Sequence, residues 1–425
     1  MTALVSILNK KAAVIAADSA VTVTNGEQTK IFNTETKIFR LSRHHPLGVM
    51  FYGITEYMGT PWEVLFKLYR DTRKDKPFDN LKEYAKDFIA FLKAEKHCKD
   101  EEEQMRYLIR EMSQVYDKIK DNLNNMIEES MQENPDADQQ EVVERCFNEL
   151  LQKANQVYTE SGCNFGFDGY NLKRFRTYGK ERFDELMDIC KDDGMPGSRE
   201  EWEELIFNYF KSQVFYFETG LVFIGYGEED LYPSVATVCV SGAFDDYMRY
   251  YFDEDNSDDI TSTNSASIIP FAQSDTMTSL MKGIHPLMLN TVITKHEASL
   301  EALKAKMLET AEAVGVTEQQ LDKLIESANV DEAVEQYHQE LVEYYRNTFI
   351  DGVVDAVESF NVEDMVDMAE SFIAITNLQR HISSSEESVG GPVDVAVITK
   401  SEGFVWVNHK QWFQQDMNPQ MMDRR

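Results

Sequence analysis

Cysteine, basic side chains and long apolar runs are all scarce in this chain, and each scarcity closes off a class of protein. The five cysteines, Cys98, Cys146, Cys163, Cys190 and Cys239, are scattered without a CxxC pair. Neither a disulfide framework nor a zinc cluster is expected, and no metal ligands are read from the sequence. The eight histidines contain no HExxH arrangement, and His44-His45 reads as a turn ahead of Pro46. Lysine and arginine number 42 against 75 aspartates and glutamates, for a formal net charge of -33. A surface of that sign repels polyanions, so neither nucleic acid nor an anionic membrane is expected as a partner. No stretch approaches the roughly 20 apolar residues of a membrane span. The amino terminus also lacks the apolar core of a secretory signal. The expectation is a soluble, cytoplasmic protein without a cofactor.

What the chain does have is an ordered beginning. Apolar runs from Ala3 to Leu8 and from Ala12 to Ala17 flank the polar corner Asn9-Lys10-Lys11, a pattern that reads as a β-hairpin. Thr2 then stands at the head of the first strand. Removal of Met1 would give Thr2 a free α-amine, whose pKa of about 7.7 to 8.0 suits it to take a proton from the hydroxyl at neutral pH. One residue would then supply both nucleophile and base. Asp18 closes the second strand in Ala16-Ala17-Asp18-Ser19, and Lys37 opens the run Lys37-Ile38-Phe39-Arg40-Leu41. A third strand-like run extends from Pro46 to Gly53.

In these motifs and their order the chain resembles the proteasome β-subunit and HslV peptidase family of N-terminal nucleophile (Ntn) hydrolases. Matching on Thr2 puts Asp18 and Ser19 on the family's Asp-Ser pair without a gap. Lys37 meets the family lysine if the loop from Thr24 to Thr34 is a few residues longer than usual, with Lys30 as the competing lysine otherwise. Ser388-Val389-Gly390-Gly391 and the run that follows resemble the family's late Gly-Gly turn and penultimate strand. The resemblance implies an α+β fold, the four-layer αββα Ntn sandwich, here with large helical insertions. It implies that Thr2 is the nucleophile, that Asp18 holds Lys37, and that the Lys37 ammonium lowers the pKa of the neighbouring hydroxyl and amine. A backbone N–H of Gly53 or its neighbour would face the oxyanion. Glu386 falls near a family aspartate that orients the terminal amine.

Positions matching the family's first specificity pocket are Val21, Thr22, Phe39, Met50 and Ile54, and their mainly apolar character implies preference for a hydrophobic side chain before the scissile bond. The chain departs from the family at Val389, which replaces a hydroxyl residue, and at Glu218 or Thr219, where active members carry serine. A peptide or polypeptide substrate and self-association, in a ring for this family, are the partners implied. Whether an ATP-driven unfoldase feeds the assembly is left undecided. Two alternatives stay open: a non-catalytic scaffold or assembly partner of the same fold, and a hydrolase of small amides.

Three blocks, 1 to 74, 198 to 286 and 356 to 412, are read as the sandwich core. Residues 75 to 197 and 287 to 355 read as helical insertions, and 413 to 425 as a tail. Apolar stripes such as Leu81, Tyr84, Phe88 and Phe91 predict helices. Capping boxes are expected at Ser198-Glu201 and Thr317-Gln320. The acidic segment Asp253 to Asp259 reads as a solvated loop.

Overall fold

The computed structural model describes residues 2–25, 28–32, 34–73, 76–164, 166–167, 169–313, 330–382 and 390–410. Glu386, Val389, the capping box at 317–320 and the 413–425 tail lie outside the described residues. The chain is α+β with antiparallel sheets and divides into two compact units, Met1–Ile38 with Asp259–Arg425, and Phe39–Asp258. The cut runs through two of the blocks read above as one core and gives each unit a five-stranded sheet.

In the first unit the sheet is formed by β1 (Ala3–Asn9), β2 (Ala13–Ala17), β12 (Ala266–Ala272), β13 (Asp394–Thr399) and β14 (Gly403–Asn408), in the order β12-β1-β2-β13-β14. The expected hairpin is there, closed by Asn9. Its side-chain oxygen accepts from the amides of Lys11 (2.9 Å) and Ala12 (3.3 Å), while its amide nitrogen donates to Val357 O at 2.9 Å. β12, a strand not read from the sequence, carries Pro270 in its middle. Proline removes a ladder donor, which an edge strand tolerates, and β12 is the edge beyond β1. Residues 24 to 34, expected as a loop, contain part of a second hairpin, β3 (Val21–Asn25) with β4 (Gln28–Phe32).

Among the described residues, five α-helices belong to this unit: α8 (Asp275–Lys282), α9 (Pro286–Ala313), α10 (Val330–Tyr345), α11 (Asp351–Ser359) and α12 (Val362–Ile382). Asn361 starts α12, its side chain accepting from the Asp364 amide (2.9 Å) while the Asp364 carboxylate takes the Asn361 N–H (3.3 Å). Met365, Ala369, Phe372 and Ile373, spaced for one helix face, pack on Ala3, Val5, Ile7, Val14 and Val395. Burial of each large side chain contributes roughly 1.5 to 3 kcal/mol, so this helix fixes the strand that Thr2 heads.

The second unit carries β5 (Ile38–Arg40), β6 (Leu47–Gly53), β9 (Thr219–Gly225), β10 (Ser234–Phe244) and β11 (Tyr247–Asp259), ordered β11-β10-β9-β6-β5. A small hairpin, β7 (Glu56–Tyr57) with β8 (Thr60–Pro61), leads into α1 (Trp62–Arg73). Trp62, Leu65, Phe66 and Tyr69 of α1 are buried together with the stripe of α2 (Leu81–Ala94) against Leu221, Phe223 and Val238. α2 lies within the stretch read as an insertion, yet Phe88 meets Phe223 of the sheet at 5.6 Å.

The remaining helices, α3 (Glu101–Glu133), α4 (Gln139–Glu160), α5 (Leu172–Tyr178), α6 (Lys180–Asp192) and α7 (Arg199–Lys211), make a separate helical core. The capping box at Ser198 starts α7 as expected. The buried guanidinium of Arg249 ties this core to β11, donating to the carbonyls of Phe210 (2.9 Å), Tyr209 (3.0 Å) and Val214 (3.1 Å) and meeting Glu111 at 3.4 Å. The loop reading of Asp253 to Asp259 is corrected: the segment is the second half of β11. Its polar side chains bond locally and to β10, with Ser257 Oγ accepting from the Thr237 amide at 2.9 Å and Asp253 accepting from Asn256. Acidic composition hid a strand whose side chains are partly solvated. Among the described residues, no helix is long and apolar enough to cross a membrane.

Candidate active site

The hairpin places Thr2 and Asp18 at the same end of the sheet. Ala3 and Asp18 lock that end reciprocally: the Asp18 amide donates to Ala3 O (3.1 Å) and the Ala3 amide donates to Asp18 Oδ1 (2.9 Å). Thr2 is 8% exposed, and its carbonyl accepts from the Gln273 amide at 3.1 Å.

Asp18 is fully buried and accepts four hydrogen bonds. Oδ1 takes the Ala3 amide and Lys37 Nζ (2.7 Å), and Oδ2 takes the amides of Ala20 (3.1 Å) and Gly390 (3.2 Å). Such a set satisfies a buried carboxylate that would otherwise be strongly disfavoured. Lys37 is 2% exposed and donates a second bond to Ala20 O at 2.5 Å. The Ala3 amide and the Lys37 ammonium therefore share one oxygen. The ammonium is held within two hydrogen-bond lengths of the peptide nitrogen that joins Thr2 to the strand. The lysine that meets Asp18 is Lys37; Lys30 lies in β4.

Burial pushes the Lys37 ammonium below its ordinary pKa. The Asp18 carboxylate pulls the other way, Lys410 adds to the lowering and Glu35 opposes it. The net result is a cation kept by its partner in a place that penalises charge.

The Gly-Gly turn closes over the same carboxylate. Besides the Gly390 amide on Asp18, the Ser19 amide donates to Gly390 O (3.2 Å) and Ser19 Oγ donates to Pro392 O (2.6 Å). Two residues not singled out in the sequence join here. Lys410 Nζ donates to Ser19 Oγ at 2.8 Å and is ion-paired with the buried Asp394, which also accepts from the Lys410 amide (2.9 Å) and bonds His409 Nδ1 (3.1 Å). The available signal was an aspartate interrupting the apolar run Val393-Asp394-Val395 at the start of β13.

The remaining predicted residues are placed as follows. Val21 is half-buried at the start of β3, and the side chain of Thr22 lies outside the described residues. Gly53, Phe39, Met50 and Ile54 belong to the second unit. Gly53 ends β6 at φ +91°, and a Cβ there would lie 2.1 Å from Glu218 O, so only glycine fits. The Ile54 amide donates to that same carbonyl at 3.1 Å, which removes it as a spare donor. Tyr52 lays its ring over Gly220, its partner across the β6–β9 ladder. Met50 is fully buried, and Phe39 packs on Phe66 (5.3 Å) and Phe51 (6.3 Å). Ile54 is half-buried and its carbonyl accepts from Thr219 Oγ1 (2.8 Å) and Trp62 Nε1 (3.0 Å), so Thr219 secures a turn. Glu218 has its carboxyl raised to about 7 by burial and then by Asp253.

Burial pushes the thiols of Cys98 and Cys239 up to about 12 and that of Cys190 up to about 11. None of these three offers a thiolate at neutral pH. Among the described residues, no group of three or more His, Cys, Asp or Glu is placed to hold a metal ion. No family model and no curated protein matches the chain.

Proposed function

We propose that the chain is an N-terminal threonine hydrolase of the proteasome-like type, built on an αββα sandwich and cleaving peptide or related amide bonds. The observation that carries the proposal is the buried Lys37–Asp18 pair, bonded at 2.7 Å and sharing its acceptor with the Ala3 amide beside Thr2. An ammonium there favours negative charge on nearby groups, which is what attack by a threonine hydroxyl requires.

With Met1 removed, the α-amine of Thr2 takes the proton from Oγ as Oγ bonds to the substrate carbonyl carbon. Collapse of the tetrahedral intermediate breaks the C–N bond, and the leaving amine takes that proton, leaving an ester on Thr2. Water, deprotonated by the same amine, then attacks the ester and releases the acid and the threonine hydroxyl. The proposed assembly is a homo-oligomer.

The test combines intact mass with a fluorogenic peptide panel. The expected result is a mass without Met1, cleavage after apolar residues, loss to background in Thr2→Ala, and partial retention in Thr2→Ser. A Thr2→Ala protein with full activity would overturn the proposal.

A further inference from the structure

Beside the Lys37–Asp18 pair lies a second ion pair, between the half-buried Lys410 and the buried Asp394, for which the proposed reaction has no use. Asp394 is 1% exposed and Lys410 Nζ is ion-paired to it while donating to Ser19 Oγ at 2.8 Å. The geometry could suit a serine–lysine nucleophile, but Ser19 is fully buried and donates its own proton to Pro392 O at 2.6 Å. Lys410 Nζ is also taken up by its ion pair with the Asp394 carboxylate. The pair positions other groups instead.

What it positions follows from connectivity. Lys410 fixes Ser19, the residue between Asp18, which binds the Lys37 ammonium, and Ala20, whose carbonyl binds it as well. Asp394 pairs with Ala17 across the β2–β13 ladder, so the anchor and the turn belong to one rigid edge.

We propose that Lys410, anchored by Asp394, is a positioning residue for Lys37: it holds the Asp18–Ala20 turn and sets a second positive charge beside the first ammonium. The charged groups facing Lys37 are Asp18, Lys410 and Glu35; those facing Lys410 are Asp394 and Lys37, with His409 bonded to the same Asp394 carboxylate. Lys410 acts on Lys37 in the direction of proton release. Removing it, with Asp394 left as an uncompensated anion, makes Lys37 hold its proton more tightly. Replacing Asp394 by asparagine does the opposite. In the reaction proposed above, on which only the activity arm rests, a cation at Lys37 lowers the pKa of the Thr2 amine. The alkaline limb of the activity profile, where that cation is lost, therefore moves to higher pH in Lys410→Met.

The experiment follows the lysine side-chain carbons of the full-length protein by NMR against pH, with the Lys37 signal identified by its loss in Lys37→Met. The expected result is an upward shift of the Lys37 midpoint in Lys410→Met, a downward shift in Asp394→Asn, and a near-native midpoint in Lys410→Arg. Fluorogenic peptide cleavage against pH is expected to move in the same sense. Unchanged Lys37 midpoints in folded Lys410→Met and Asp394→Asn overturn the proposal, even where peptides are cleaved normally. Shifted midpoints in a protein that cleaves no peptide support it and count against the hydrolase reading alone. If Lys410→Met does not fold, the Asp394→Asn midpoint decides.

Discussion

Asp18→Asn tests the Lys37–Asp18 pair directly, because the substitution changes one oxygen into an NH2 group and leaves the shape alone. The native carboxylate faces four donors, two on each oxygen. An asparagine amide presents NH2 to two of them whichever way it turns, either to the Ala3 amide and Lys37 or to the amides of Ala20 and Gly390. In both orientations the Lys37 ammonium, 2% exposed, loses its counter-charge. Removing one partner of a buried ion pair costs about 3 to 5 kcal/mol, and each buried amide left unpaired costs about 1 to 3 kcal/mol. Because the turn can relax, these costs do not simply add, and a loss of about 4 kcal/mol is expected.

Lys37→Met should cost less, near 3 kcal/mol, since Asp18 keeps three amide donors. The double variant removes both charges, so it should be destabilised by less than the two single losses together, with a coupling of roughly 2 kcal/mol or more. With two units in one chain, a single unfolding midpoint is a poor measure of one site. The assay is therefore native-state hydrogen exchange of peptides from β1 and β2 in a urea series. A coupling under about 0.5 kcal/mol would show that the two side chains do not depend on each other and would remove the basis of the site. The pH dependence supplies a sign. A lysine whose folded pKa lies below its ordinary value of 10.5 binds fewer protons folded than unfolded between those values, so wild-type stability rises with pH across that window. Lys37→Met should lack that rise.

Two further outcomes follow from the second unit. Gly53→Ala should cost about 3 kcal/mol or more, because its Cβ would sit 2.1 Å from Glu218 O at φ +91°, whereas Gly169→Ala, at φ +78° with open space around it, should cost about 1 kcal/mol; equal losses in native-state hydrogen exchange of peptides around each site would refute the close approach. Glu218, raised from 4.5 to about 7, binds more protons folded than unfolded between those values, so stability falls as pH rises through the window. Glu218→Gln should abolish that fall and gain roughly 1 to 3 kcal/mol at pH 8, read from native-state hydrogen exchange of β9 peptides in urea series at pH 5 and pH 8; an unchanged slope would place the carboxylate in water.

The parts of this molecule that could be read from residues alone are those in which local pattern decides. Two apolar runs around Asn9-Lys10-Lys11 can hardly be anything but a hairpin, and Trp62, Leu65, Phe66 and Tyr69 recur at the helical period. Where local pattern and tertiary placement disagree, placement wins. Pro270 argues against a strand, but an edge accepts it, and Asp253 to Asp259 argues for a loop, but the outer strand of a sheet accommodates acid. The stripe of α2 announces a helix without saying that a sheet is its partner. Asp394 and Lys410 were invisible for a different reason: their meaning depends on Ser19, more than 370 positions earlier, and no periodicity carries that information.

Stability alone does not account for the lysine at position 37. A buried ion pair is often no better for folding than well-packed apolar side chains of the same volume, and the chain has acidic residues in large excess with which a lysine at the surface could pair in water. Instead, Lys37 is carried out of solvent to a carboxylate that already has three amides to satisfy it. What the arrangement provides, and an apolar pair could not, is a positive charge with a weakened hold on its proton, fixed within two hydrogen bonds of the Ala3 amide. That arrangement suits a neighbour that develops negative charge, which is the role proposed for Thr2.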